Sequence, residues 1–167
     1  MVKTAIKYGL VGGAICIALL FGMSLFLENP ISESEIPFIL ILAIFIFSAI
    51  RDFKKSLNRG FLKFWQGASI GFIVYMTCSA LSGAGVFALS ATKPETVQTL
   101  LDHQIENWES SKEETIKNRG EEYYNEYLSD LRSADGSSIA TAVFIRQIIL
   151  GIILTFALAM IMKKSEP

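Results

Sequence analysis

The 167-residue chain has one histidine, two cysteines and four prolines, and almost no charge where its apolar residues are densest. The single His103 has no cysteine or second histidine near it, so no zinc-ligand spacing can be assembled. Cys16 and Cys78 both lie inside apolar runs; each reads as a small buried hydrophobe, and no disulfide framework is suggested. Phosphate loops, dinucleotide fingerprints, Ser/His/Asp sets and paired intramembrane carboxylates are all missing. These absences leave no catalytic residue, metal or cofactor to name, and they point away from an enzyme.

What the chain does have is long apolar runs, with 51% of its residues hydrophobic. Tyr8–Leu27 and Phe64–Thr92 carry no charge, Ile36–Ile50 is a shorter run, and Ile139–Met162 is apolar except for Arg146 and Gln147. A bilayer core of about 30 Å needs about 20 apolar residues of helix. The expected fold is an all-α membrane protein: a four-transmembrane-helix bundle with a helical extracytoplasmic segment between helices 3 and 4. Residues 1–92 would hold the first three spans, at about 8–27, 36–53 and 64–90. Residues 93–138 form the amphipathic outer segment, and 139–167 the fourth span and tail. The first run exceeds the usual core of a secretory signal (about 7–15 residues) and no A-x-A-like site follows it. The second run is short, and a re-entrant segment there would break the parity. Continuation through Phe53 with Arg51, Lys54 and Lys55 snorkelling outward lets it span.

The charges are segregated. Lys3 and Lys7 precede the first run, Arg51, Lys54, Lys55, Arg59 and Lys63 lie in the second connection, and Lys163 and Lys164 follow the last run. The first connection holds Glu28, Glu33 and Glu35 and nothing basic. The positive-inside rule then puts both termini in the cytoplasm of a multi-pass protein of the cytoplasmic membrane. The basic cluster suits anionic lipid headgroups better than nucleic acid.

Small residues recur at four-residue spacing, as Gly9 and Gly13, Gly67 and Gly71, and Gly151 with Thr155. Such positions let helix backbones approach closely, either within the chain or between two copies. In the outer segment, Val97, Leu101, Ile105, Trp108, Tyr123, Tyr127 and Leu131 fit one helical stripe, with a break expected near Gly120. Two uses fit the stripe: a solvated hairpin covering the bundle, or a docking face built on Trp108, Tyr123 and Tyr127. Arg146 is the one ionisable residue within an apolar run. It either snorkels to phosphates or pairs with an acidic residue of the first connection, for which Glu28 is the expected partner.

The order Lys7-Tyr8-Gly9, then Phe64-Trp65-Gln66-Gly67 opening a Gly-rich third span, then Pro94-Glu95 and a closing Lys163-Lys164, resembles a bacterial membrane family catalogued as domain of unknown function 4199. The resemblance implies four helices in a bacterial inner membrane and carries no catalytic or binding residue over. The leading expectation is a non-enzymatic accessory or assembly subunit acting through protein or lipid contacts, with the bilayer, a second membrane protein or a second copy as partner. The alternative is a small-molecule or lipid transporter working as an oligomer, its path using Ser69, Thr77, Ser79, Ser82 and Arg146.

Overall fold

The computed structural model describes residues 1–164. Helix α1 (Val2–Met23) leads through a turn to a short α2 (Pro30–Glu33) and then α3 (Glu35–Asp52), which ends in a π-helical turn, Phe53–Leu57. The long α4 (Phe64–Thr92) is followed by α5 (Pro94–Ser110), α6 (Lys112–Arg119) and α7 (Glu121–Ser133), and α8 (Gly136–Met162) closes the bundle. Val2–Met23, Pro30–Leu57, Phe64–Thr92 and Gly136–Met162 are long and apolar enough to cross a membrane. The protein is thus a four-span helical bundle.

Some boundaries depart from the sequence expectation. The first helix stops at Met23 and not near residue 27, because the Ser24 hydroxyl bonds Phe21 O and the Lys93 ammonium caps Ser24 O at 2.7 Å. Leu25 and Phe26 then turn outward. The unexpected α2 is written locally: Asn29 caps it and Pro30 sits at its first position, where a missing N–H costs nothing. Between α4 and α8, α5 and α6 are separated at Ser111, where the Ser110 and Ser111 hydroxyls bond back to Asn107 and Trp108 carbonyls and compete with the helical ladder. Gly120, at φ 90°, makes the expected break. Asp135 caps α8 by accepting from the Ser138 N–H and from the Ser137 and Ser138 hydroxyls, which holds its carboxyl at about 2. Because that folded value is depressed, the cap is fully formed above the ordinary carboxylate range and is lost as pH falls through about 2.

Glycine sets the distances between the spans. A Cβ on Gly9 would come within 2.7 Å of Thr77, one on Gly13 within 2.6 Å of Leu81, and one on Gly85 within 2.8 Å of Ile17. Each four-residue step along α1 is matched by the same step along α4, so these two helices run parallel. Gly67 faces Ala159, Gly71 faces Thr155 and Gly151 faces Tyr75, steps that run in opposite senses, so α4 and α8 are antiparallel. Gly12 packs on Phe45 and Tyr8 meets the same ring, which places α3 beside α1. The order is up-down-up-down. It gathers Lys3 and Lys7, the loop 51–63 and Lys163–Lys164 at one end, with the acidic first connection and α5–α7 at the other.

Burial follows the logic of a lipid solvent. Gly9, Gly13, Gly67, Gly71 and Gly151 are all buried between helices, whereas Leu40, Ile44, Phe72, Ile149 and Ile153 are exposed on the outside. Lipid is as apolar as leucine, so burying leucine gains little and close backbone contact decides the interface.

Candidate functional site

Polar side chains buried between α4 and α8 are the first place to look for chemistry. Gln147 lies about 12 Å along α8 from Ile139, and its Oε1 sits 2.6 Å from the Ser82 hydroxyl, which is also 2.9 Å from the Cys78 carbonyl. A hydroxyl has one proton and cannot give it to both. Gln147 Nε2 has no acceptor in this orientation. Turning the amide over lets Nε2 donate to Ser82 Oγ while Ser82 donates to Cys78 O, and Oε1 then takes the place without a partner. The arrangement is a helix-to-helix pin: bonds of this kind contribute about 0.6 kcal/mol on average in membranes. Thr77 and Ser90 donate to carbonyls one turn back on their own helix, and Ser69 lies on the outer surface. Cys16 and Cys78 are buried free thiols.

Arg146 does find an acidic partner, and it is not Glu28. Its Nη1 donates to Glu35 Oε1 at 2.5 Å. The correction follows from helix neighbours: Glu35 opens α3, which packs against α8, whereas Glu28 lies in the turn after α1, a helix that packs on α3 and α4. The pair also levels the bundle, setting the start of α3 beside the third turn of α8. Both side chains are close to half exposed, 44% and 39%, so the strength of the pair depends on the surrounding headgroup layer. Arg146→Leu should destabilise more when Glu35 is present than when it is Gln, with a coupling of about 1 kcal/mol in a thermal double-mutant cycle in detergent. Strict additivity at Glu35 would remove the pair; Glu28→Gln should be additive.

At the same end of the bundle, the α5–α7 hairpin closes on Trp108. Its ring stacks on Tyr124 at 5.9 Å and touches Tyr127 at 4.3 Å and Tyr123 at 6.2 Å, and its Nε1 donates to Tyr124 O. Tyr124 and Leu131 are buried, while Tyr127 remains exposed, so the stripe is turned one residue from the expected Tyr123–Tyr127 face. Trp108 and Tyr123 are half-buried within the hairpin. Arg132 and Glu109 pair at its surface at 3.3 Å, and Glu113, Glu121 and Glu122 face solvent. A polar and aromatic groove of about 340 Å³ runs along it, lined by Trp108, Asn118, Arg119, Tyr123 and Tyr127.

The five packing glycines named from the sequence thus meet side chains of this same chain, and three of the candidate docking aromatics meet one another. Sequence reasoning placed the arginine's partner among Glu28, Glu33 and Glu35 but preferred Glu28 to Glu35, and it missed Gln147 with Ser82 as a pin. The signal for the second was present, a lone amide in an apolar run, but its partner lies 65 residues away. No curated protein and no solved structure matches the chain. Its likeness is to a family: matched over residues 7–164, the chain belongs to the one described as Protein of unknown function (DUF4199).

Proposed function

We propose that this protein is a non-enzymatic accessory or assembly subunit of the bacterial cytoplasmic membrane, using its outer hairpin to dock a second membrane protein. The observation that carries this reading is the hairpin itself. It is held in shape by the Trp108 stack, and it presents the exposed Tyr127 and a groove whose polar and aromatic lining is of the kind enriched at interfaces. Of the intramembrane hydroxyls, Thr77, Ser82 and Ser90 are spent on their own helices or on the pin to Gln147, while Ser79 and Thr155 are buried between helices without a partner. A photoreactive residue in place of Tyr127 should give one protein adduct of defined mass, absent when the same probe replaces the lipid-facing Leu40. A retained small ligand without any protein partner in native-lipid discs would overturn the proposal in favour of transport.

The orientation belongs to the same proposal: both termini in the cytoplasm, the hairpin outside. It is supported by the gathering of Lys3, Lys7, the loop 51–63 and Lys163–Lys164 at one end. The native thiols are buried, so single cysteines can be placed on a quiet background. Ser110→Cys should label from outside the cell and Ser56→Cys only after permeabilisation, both side chains being exposed. Outside labelling at Ser56 would reverse this orientation.

A further inference from the structure

The basic end of the bundle holds an arrangement that costs free energy as it stands. Just before α4 and just after α8, the backbone makes an isolated antiparallel bridge, Leu62 N–H to Lys164 O at 2.9 Å and Lys164 N–H to Leu62 O at 3.0 Å. Lys63 and Lys163 are the next residues along from this bridge, and an antiparallel pattern carried on by one residue brings such neighbours to facing positions. Both are extended, at φ −77°, ψ 145° and φ −53°, ψ 133°, and both are exposed. Like charges placed so are destabilising. Among the described residues neither lysine has a carboxylate partner, the two ion pairs being Arg132–Glu109 and Arg146–Glu35. Two further ammonium groups stand at this corner: Lys54, bonded to Met162 O at 2.7 Å, and Lys164, whose Nζ lies 5.9 Å from the centre of the Phe61 ring.

Immediately below this corner, an apolar groove of about 460 Å³ lies between α4 and α8, lined by Trp65, Ala68, Phe72, Tyr75, Ile152 and Phe156. Its volume is within the usual range of ligand sites, roughly 300–1,000 Å³. From Trp65 to Tyr75 it runs about 15 Å along α4, half the thickness of a hydrocarbon core of about 30 Å. Trp65, among the most exposed side chains at 73%, marks the level where aromatic belts meet headgroups.

We propose that this corner and groove form one site for an anionic glycerophospholipid, with the headgroup phosphate between Lys63 and Lys163 and one acyl chain between α4 and α8. The phosphate replaces a like-charge repulsion with two charge-assisted hydrogen bonds. The groove supplies the length of one leaflet, and it opens sideways to the bilayer from which the lipid comes. Charge complementarity chooses the occupant: a zwitterionic lipid would fill the groove equally well and leave the two ammonium groups less compensated. The inference rests on the chain lying in a membrane and is independent of the docking role and of which side the termini face.

The test uses the full chain in detergent, titrated with phosphatidylglycerol or phosphatidylcholine of identical acyl chains and followed by native mass spectrometry and thermal unfolding. Phosphatidylglycerol should be retained preferentially, by about fivefold per lysine engaged. Lys63→Gln with Lys163→Gln should abolish the preference while leaving the unfolding temperature in plain detergent unchanged or raised. Arg51→Gln with Lys55→Gln, which removes as much charge from the same end away from the groove, should preserve it. Ala68→Phe, which fills the groove, should weaken both lipids together. Equal retention of the two lipids, equal loss from both pairs of charge substitutions, or the same stabilisation by inorganic phosphate alone would overturn the site.

Discussion

Replacing Gly71 with leucine is expected to disrupt the bundle more than a substitution at any other packing glycine. A Cβ at Gly71 already overlaps both branches of the Thr155 side chain, so even alanine requires α8 to move. Movement is blocked on either side along the same seam. Gly67 lies against Ala159, with a Cβ contact of 3.0 Å, and Gly151 lies against the Tyr75 ring, with one of 2.6 Å. Separating the helices far enough for leucine forfeits all three contacts and pulls Ser82 away from Gln147. Overpacking costs about 1–3 kcal/mol in ordinary cores and more where the backbone cannot yield. The unfolding temperature in detergent should fall by roughly 6–12 °C on the scale of a domain this size. Gly22→Leu is the control, because nothing lies within 4 Å of where its Cβ would be. Partial recovery is expected when Gly71→Ala is combined with Thr155→Gly. If Gly71→Leu and Gly22→Leu behave alike, the close α4–α8 approach is wrong.

Trp108→Ala is expected to melt the α5–α7 hairpin while leaving the membrane bundle folded. Trp108 reaches from α5 to three tyrosines of α7, and its indole N–H also satisfies the Tyr124 carbonyl. Helices α6 and α7 are too short to persist alone in water, since isolated helices under about 12–15 residues are marginal. Truncation of a large aromatic in a well-packed site costs about 3–5 kcal/mol; Trp108 is only half-buried, so about 2–3 kcal/mol is the appropriate figure. Hydrogen exchange should therefore accelerate about 30-fold or more across residues 112–133, with little change in α4 and α8. Trp108→Phe should retain most of the protection, because stacking on Tyr124 survives and only the N–H bond is lost. Unaltered exchange in α7 would show that the stack contributes nothing to the hairpin.

Much of this molecule is written locally. The four spans are legible because each is a contiguous apolar run, and a charge that stays in water marks the end of a helix. The breaks at Pro94 and Gly120 and the cap at Asp135 are likewise properties of one or two residues. The glycines at four-residue spacing announce close approach, because removal of a side chain from one helix face is visible without knowing the partner.

What the sequence could not determine is who meets whom. Glu35 takes Arg146 in preference to Glu28 because α3, and not α1, lies beside α8, a fact of bundle order that no residue near Arg146 encodes. Gln147 finds Ser82, Trp108 finds Tyr124, and Leu62 bridges to Lys164 only when antiparallel elements align. Local signals act through the backbone of the same helix, over one turn. Pairing between helices depends on the rotation and vertical offset of whole elements, which the summed contacts of the α4 seam decide together.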